Sequence, residues 1–327
     1  MKTMSNVCLI VQPIHPVGEE LLRAADFEPR LATRSDMMTV AQEARDAIAI
    51  ITRSAGLNAA AMDAAPLLRV IGSHGVGVNA IAVDHATALG IPVVNTPEAN
   101  RLAVAEHTIA LMLAAAKQIV AADAATRKVD FDFKYNAPLT DISRKVLGIV
   151  GFGGIGRRVA AMAKSGFNMD VLVESKSAKP QELQHLGYRS AESLDALLRQ
   201  ADIVSLHLPL LAHSKHMISA RELRLMKPSA ILINTARGNL IDEIALADAL
   251  SVGTIAAAGL DVFENEHMSP DHPLLAARNA VLTPHIAGSS EEALRRTATQ
   301  LVERIMAVLG GTPMDVVNPA VWDNRRR

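Results

Sequence analysis

Short runs of aliphatic and β-branched residues alternate with longer helical patterns along most of this chain. In the first third the apolar runs read VCLIV, AIAII, LRVIG and IPVVN, and segments such as NAAAMDAA and NAIAVDHATAL fit helices between them. A second series begins at KVLGIV and continues through DVLVE, DIVSLHL, AILINT, TIAAAGLDV and AVLTP. Buried strands that alternate with helices form parallel sheets with right-handed crossovers. The pattern therefore predicts an α/β fold built on doubly wound parallel sheets.

Length and composition agree with two such sheets. A chain of 327 residues is too long for one small core, so two domains are expected. Half of the residues are hydrophobic but only 3% are aromatic, so the core must be built from Ala, Val, Leu and Ile. The 33 basic and 34 acidic residues nearly cancel. Because no broad basic face is implied, we expect neither nucleic acid nor an anionic membrane as a partner.

The sequence also predicts the compartment. Cys8 is the only cysteine, so no internal disulfide can form and nothing indicates an oxidising environment. The first apolar run, residues 7–11, is short and precedes Gln12 and Pro13, unlike a signal peptide. In the most apolar helical segment, the longest stretch free of charge or histidine is residues 108–116. That is far below the ~18 residues of a membrane span. We therefore expect a cytoplasmic protein.

The two series differ at their first strand–helix turn. The first has LIVQPIHPVGEE, without a glycine cluster, whereas the second has VLGIVGFGGIGRRVA. There Gly151, Gly153 and Gly156 form G-x-G-x-x-G between a strand and a helix, which is typical of dinucleotide binding. The first glycine permits a tight turn, the second lets backbone approach a pyrophosphate, and the third lets helix pack on strand. Glu174 ends the next strand about 20 residues on, where an acidic residue binds the ribose hydroxyls. The second domain is therefore predicted to bind NAD.

Three strand ends of this second series carry ionisable side chains. Arg237 follows AILINTA, Glu266 follows TIAAAGLDVFEN, and His285 follows AVLTP. Each alone has an ordinary structural explanation, as a salt-bridged arginine, a solvated loop carboxylate or a hydrogen-bonded histidine. In open α/β sheets, however, ligands bind beyond the carboxyl ends of the strands. We therefore expect the three side chains to meet at one site.

Reduction of a 2-oxo acid requires groups of these three kinds. Arginine presents a planar fork of donors for a carboxylate and a carbonyl oxygen. Histidine titrates near neutral pH and can donate the proton. A carboxylate beside the imidazole favours its protonated form and holds the ring. The interpretation is a dehydrogenase in which His285 is the general acid and base, Glu266 supports it and Arg237 binds substrate.

The sequence resembles the D-isomer-specific 2-hydroxyacid dehydrogenases, the family of phosphoglycerate dehydrogenases and hydroxypyruvate reductases. The resemblance spans roughly residues 70–300. It rests on HGVGVNAI, NTPEANRLAVAEHTIALML, GIVGFGGIGRRVA, LHLPL, INTARGNLIDE, GLDVFENE and LTPHIAGSS, in family order. It implies interconversion of a 2-oxo acid and a D-2-hydroxy acid by hydride transfer. It places the catalytic arginine, glutamate and histidine at Arg237, Glu266 and His285.

The resemblance also implies binding residues. Asp261 matches the contact to the nicotinamide amide, and Val76 and Gly77 match the loop whose amides hold the substrate carboxylate. The remaining positions expected to line the cofactor are Gly154, Ile155, Leu208, Pro209, Thr235, Ala236 and Gly288.

The family architecture predicts two Rossmann-like or flavodoxin-like domains with an active-site cleft between them. The substrate-binding domain would be discontinuous, comprising residues 1–98 and 289–327, with the NAD-binding domain at 99–288. Family dimers form largely through the cofactor domains, so a homodimer is expected. Two departures put the substrate in doubt. The common GVGxDNID loop is GVGVNAIA here, and His267 replaces the proline that usually follows the catalytic glutamate.

Alternatives remain open at this point. An NAD-binding regulatory protein of the corepressor kind would retain the same motifs, and a hydrolase could use a metal held by ENEHMSPDH. Neither that segment nor the group His207, His213 and His216 has a recognised ligand spacing, so no metal is predicted. The cofactor signal is mixed, because Glu174 should repel a 2′-phosphate whereas Ser175, Lys176 and Ser177 could hold one. NAD is favoured, with NADP as the alternative.

Overall fold

The structure is a computed structural model that describes residues 6–266 and 268–326. The chain divides into two compact units. The first unit comprises Met1–Asn100 and Gly288–Arg327, and the second comprises Arg101–Ala287. Each is built on its own parallel sheet.

The sheet of the first unit has five parallel strands in the order β2-β1-β3-β4-β5, which is the flavodoxin-like order. Its strands are β1 Val7–Ile10, β2 Glu28–Leu31, β3 Ala47–Thr52, β4 Val70–Ser73 and β5 Val93–Val94. Its helices are α1 Pro16–Ala24, α2 Met37–Glu43, α3 Ala59–Asp63, α4 Val83–Ala88 and α13 Glu291–Leu309, followed by a short 3-10 helix at Pro319–Asn324.

Both faces of this sheet are covered. Leu9, Ile50 and Ile71 pack with α2, α3 and α4 on one face. On the other, Leu301 and Ile305 of α13 pack against Cys8 and other strand residues. Burial raises the pKa of the Cys8 thiol to about 12, so this lone cysteine is an inert core residue. The returning helix α13 thus belongs to the core of the N-terminal unit.

The second unit carries seven parallel strands in the order β12-β11-β10-β9-β6-β7-β8. Its strands are β6 Val146–Val150, β7 Asp170–Glu174, β8 Arg189–Ser190, β9 Ile203–Leu206, β10 Ile231–Asn234, β11 Ala257–Leu260 and β12 Ala280–Leu282. The strand order reverses between β6 and β9, where Rossmann sheets bind their ligands. Its helices are α5 Arg101–Ala116, α6 Ile119–Arg127, α7 Phe133–Asn136, α8 Gly154–Phe167, α9 Pro180–His185, α10 Leu194–Gln200, α11 Ala220–Leu225 and α12 Glu243–Ser251, with 3-10 helices at Gly238–Leu240 and Pro273–Ala276.

Helix α5 belongs to the core of this unit. Leu111 and Met112 are buried against the strand residues Ile149 and Ile233. Among the described residues no single helix has both the length and the apolar character to cross a membrane; α5 and α6, bent by 58°, meet that test only as a pair.

The fold prediction is confirmed, with two doubly wound parallel sheets. Sequence patterns missed the edge strands β2 and β8. Strand β2 reads EPRL and β8 consists of Arg189 and Ser190, both largely exposed, so neither shows the apolar run that marks a buried strand. The helix expected from NAIAVDHATAL begins only at Val83, because residues 79–82 form a turn that ends in a bridge between Leu57 and Ile81.

Candidate active site

The glycine-rich turn joins β6 to α8 at the point where the strand order reverses. Gly151 has φ +93°, and a Cβ there would lie 2.6 Å from the carbonyl oxygen of His207. A Cβ on Gly156 would lie 2.3 Å from the carbonyl oxygen of Gly151, so only glycine allows this approach of helix to turn. Around Gly153, in contrast, the space is open. Gly153 is also the N-cap of α8 and provides no capping side chain.

The amides of the first turn of α8 therefore receive no acceptor from a capping side chain, and the Arg101 side chain lies against Gly154 in this turn. A pyrophosphate fits there, because helix N-termini bind anions through such amides. Gly154 and Ile155 begin this turn and are partly exposed.

Glu174 ends β7 beside the same turn. It is the register partner of Val150, and its carbonyl accepts a 2.9 Å hydrogen bond from the amide of Gly151. Burial raises the pKa of its carboxyl, and the charge of Lys176 acts in the opposite direction. Ser175 and Ser177 lie on the surface, 3.3 Å apart through their hydroxyls. This arrangement fits the ribose of a dinucleotide.

The ends of β9 and β10 carry the next predicted cofactor positions. After β9, Leu208 is partly exposed and Pro209 is exposed. Burial lowers the pKa of the neighbouring His207 to about 3, so it is neutral and serves as a partner of Ser205, 2.9 Å away. After β10, Thr235 is buried and its hydroxyl lies 2.9 Å from that of Thr108, whereas Ala236 is partly exposed.

Asp261 follows β11 and is fully buried. Its carboxylate accepts hydrogen bonds from the hydroxyl of Thr283 at 2.6 Å and from the amides of Ile286 and Ala287, both at 2.9 Å. His107 Nε2 lies 3.5 Å from the same carboxylate. Burial by itself would raise the pKa of Asp261, but these partners outweigh it and lower the pKa. In this structure the carboxylate thus binds the loop of residues 283–287.

That loop presents His285. The residue has φ +53°, in the left-handed region, and its amide donates to the carbonyl of Asp261 at 2.8 Å. Its Nδ1 is hydrogen-bonded to Oε1 of Glu266. The two side chains are 45% and 43% exposed, so the pair is open to a ligand. The Nδ1 contact orients the ring and leaves Nε2 for another partner.

Arg237 lies between β10 and the 3-10 helix that follows. The Asn234 side chain fixes its backbone, because Nδ2 donates to the carbonyl of Arg237 at 2.8 Å and Oδ1 accepts the amide of Ala236 at 3.0 Å. Burial lowers the pKa of the guanidinium, and the carboxylate of Glu266 acts against this shift. The carboxylate of Glu266 therefore lies near enough to Arg237 to stabilise the charge of the guanidinium.

Close backbone packing explains that proximity. A Cβ on Gly238 would lie 1.9 Å from the carbonyl carbon of Phe263, so only glycine lets the arginine turn meet the segment that leads to Glu266. The structure thus brings Arg237, Glu266 and His285 together in the second unit, at the carboxyl ends of neighbouring strands.

Val76 and Gly77 belong to the first unit, in the loop after β4. The loop carbonyls are occupied: the amide of Thr96 donates to Gly75 at 2.9 Å, Asn95 Nδ2 to Val76 at 2.8 Å, and Ser73 Oγ to Gly77 at 2.6 Å. Within the part of the chain that the structure describes, the amides of Val76 and Gly77 have no hydrogen-bond acceptor. A loop with its carbonyls bound and its amides free suits an anion.

Two other positions singled out in the sequence are Gly288 and His267. Gly288 belongs to the first unit, and His267 lies outside the described residues. Among residues 6–266 and 268–326, no three His, Cys, Asp or Glu side chains are grouped to hold a metal ion. Sequence reasoning missed Asn234 and Thr283, although each is a polar residue at the end of an apolar run, and that signal was available.

Comparison with known proteins identifies the family of this chain. Residues 109–287 match the model of the D-isomer specific 2-hydroxyacid dehydrogenase, NAD binding domain. A glyoxylate reductase of Aeropyrum pernix is 42% identical over 293 residues, which cover 86% of each chain. A D-3-phosphoglycerate dehydrogenase of Methanocaldococcus jannaschii is 37% identical over 304 residues, or 93% of this chain and 57% of that protein.

Solved structures show the same fold. The NADPH-dependent glyoxylate/hydroxypyruvate reductase of Sinorhizobium meliloti, in complex with citrate, superposes with a TM-score of 0.85 at 30% identity, covering 98% of this chain and 99% of the other. The glycine turn and the strand-end cluster define a dehydrogenase that uses a dinucleotide. The chain belongs to the D-isomer specific 2-hydroxyacid dehydrogenase family. It is an NAD(P)-dependent oxidoreductase that interconverts 2-oxo acids and D-2-hydroxy acids.

Proposed function

We propose that this enzyme reduces a small 2-oxo acid of the glyoxylate or hydroxypyruvate kind, with His285, Glu266 and Arg237 as its catalytic residues. The observation that carries the proposal is the hydrogen bond between Glu266 and His285, and the charge of Glu266 also acts on the nearby Arg237. Relatives whose names specify glyoxylate or hydroxypyruvate support the substrate class.

His285 is the general acid in reduction and the general base in oxidation. When the ring is protonated, Nδ1–H donates to Glu266 and Nε2–H is free to donate to the carbonyl oxygen of the substrate. The left-handed backbone at His285, bound to the carbonyl of Asp261, sets the direction of the ring. Glu266 holds the tautomer and balances the charge of the imidazolium.

Arg237 binds the substrate carboxylate and polarises the carbonyl. Its guanidinium is partly buried, where charge-assisted hydrogen bonds are strong because little water competes for the donors. The free amides of Val76 and Gly77 are proposed to bind a substrate carboxylate.

The residues that would hold the cofactor are Gly151, Gly153, Gly154, Ile155 and Gly156 at the pyrophosphate and Glu174 at the ribose. Leu208, Pro209, Thr235, Ala236, Asp261 and Gly288 are proposed to line its nicotinamide half. When bound, the nicotinamide supplies the hydride that reduces the carbonyl carbon. Because Glu174 ends β7 as a carboxylate, we propose that NAD is preferred to NADP.

We further propose a cytoplasmic homodimer, with a small acid as substrate and without nucleic acid or membrane as partners. The segment of residues 119–139 supports the dimer, because large apolar side chains along it are exposed in a single chain and a second copy would cover them. These side chains are Ile119, Val120, Val129, Phe131, Tyr135 and Leu139. Light scattering on the purified protein tests this assembly.

The proposed activity is tested with a panel of glyoxylate, hydroxypyruvate, pyruvate and bulkier 2-oxo acids, each with NADH and with NADPH. We expect the highest kcat/KM for glyoxylate or hydroxypyruvate. Turnover confined to bulky 2-oxo acids would refute the substrate class. No reduction of any 2-oxo acid, despite NADH binding, would favour a regulatory role.

A further inference from the structure

Glu243 is a buried charged residue outside the proposed catalytic cluster. It is the first residue of α12, directly after the N-cap Asp242, whose Oδ1 accepts the amide of Ala245 at 3.0 Å. Since Asp242 already caps the helix, Glu243 is not needed for that purpose. Its side chain is 7% exposed, and glutamates are seldom buried unless they are paired.

The two carboxylate oxygens of Glu243 bind two ends of one segment. Oε1 accepts the amide of Glu264 at 2.7 Å, and Oε2 lies 3.3 Å from Nε2 of His272. The other ring nitrogen of His272, Nδ1, accepts the amide of Leu274 at 3.4 Å, so the proton of the neutral ring is on Nε2 and points to Glu243. Glu243 is thus hydrogen-bonded to the amide of residue 264 and lies within ion-pair distance of the ring of residue 272.

The segment between these two points carries Glu266. Glu266 lies two positions after Glu264, so the hydrogen bond to the Glu264 amide fixes the backbone from which the Glu266 side chain reaches His285. Some hydrogen bonds orient a side chain that itself touches the reacting groups. Such bonds act through geometry, because a small misplacement of that side chain slows catalysis.

We propose that Glu243 is a positioning residue that holds the backbone at Glu264 so that Glu266 faces His285. The inference rests on the proposed role of Glu266. A carboxylate suits this position, because one oxygen accepts the Glu264 amide and the other lies beside the His272 ring. Burial raises the pKa of Glu243, and the amide of Glu264 and the nearby His272 oppose that shift. The other charged groups that act on it are Glu264 and His216, whose side chains lie 2.8 Å apart.

The test is Glu243→Gln. In this variant the amide NH2 must face either the Glu264 amide or the His272 ring, so one of these two contacts is lost. We expect kcat for glyoxylate reduction to fall about 10–100-fold, the scale of a misplaced catalytic group. The Kd of NADH, measured by fluorescence, should change less than about twofold, which corresponds to ~0.4 kcal/mol of binding free energy. The control is Asp248→Asn, which removes the same charge from an exposed site on α12.

A double-mutant cycle with Glu266→Gln separates positioning from general loss of structure. If Glu243 acts through Glu266, Glu243→Gln should lower kcat much less in the Glu266→Gln background than in the wild type. An equal fall in both backgrounds, or wild-type kcat for Glu243→Gln, would overturn the inference. A Glu266→Gln enzyme with normal kcat would instead refute the proposed function. If Glu243→Gln does not fold, His272→Ala replaces it in the same double-mutant cycle. This variant removes only one partner of Glu243, and the same outcomes support or overturn the inference.

Discussion

The imidazole of His285 and the carboxylate of Glu266 are hydrogen-bonded through Nδ1 and Oε1, although 19 positions separate them in the chain. The contact forms because His285 adopts a left-handed backbone, with its amide bound to the carbonyl of Asp261. Glu266 is brought there by the segment that follows β11, the strand that also ends at Asp261. The pairing therefore depends on how the ends of β11 and β12 are held.

Replacing Arg237 with lysine tests the role of the guanidinium. Lysine keeps the charge but loses the paired donors that fit a carboxylate. A charge-assisted hydrogen bond is worth about 1.5–3 kcal/mol, so kcat/KM for glyoxylate should fall about 10–100-fold. Steady-state kinetics measure this, with the exposed Arg224→Lys as control. Wild-type kinetics across all 2-oxo acids would place the carboxylate contact elsewhere.

Replacing Glu174 with alanine tests cofactor choice. The wild-type enzyme should show the higher kcat/KM with NADH, because the Glu174 carboxylate at the end of β7 repels a 2′-phosphate. Glu174→Ala should narrow or reverse that preference, whereas alanine at the exposed Glu192 should not. A clear NADPH preference of the wild type would mean that Ser175, Lys176 and Ser177 determine the choice.

Replacing Asp261 with asparagine tests the anchor of the His285 loop. One oxygen accepts the amide of Ile286 and the hydroxyl of Thr283, and the other accepts the amide of Ala287. In Asp261→Asn, the side-chain NH2 must therefore face one of these donors. Leaving a buried group unsatisfied costs about 1–3 kcal/mol, so the free energy of unfolding should fall by that amount in urea titrations near neutral pH. No loss of stability would show that the contacts do not hold the loop.

The same variant carries a pH dependence. The pKa of Asp261 is lowered in the folded protein, because its hydrogen-bond partners outweigh the opposing effect of burial. Its stabilisation is therefore present above the unfolded value, near ~3.9, and is lost as pH falls through the lower folded value. In urea titrations at successive pH values, the difference between wild type and Asp261→Asn should shrink on acidification below about pH 4. A difference that grows instead would contradict the lowered pKa.

The fold was accessible from the sequence because buried parallel strands are continuous apolar runs, such as LGIV before Gly151. The glycines, Glu174 and the three strand-end residues could be predicted because each has a position defined by a strand. The partners of Asp261 could not, because Thr283, Ile286 and His107 come from distant elements and bind through contacts that only tertiary packing creates. The bond between Glu243 and the Glu264 amide is of the same kind.

The measurement that tests the account most directly is the rate of glyoxylate reduction by His285→Gln, together with its Kd for NADH. Loss of general acid catalysis should lower kcat about 10²–10⁴-fold. The Kd for NADH should be unchanged, as should both quantities in the exposed control His213→Gln. A His285→Gln enzyme that binds NADH and reduces glyoxylate at near wild-type kcat would remove His285, and the pair it forms with Glu266, from the mechanism.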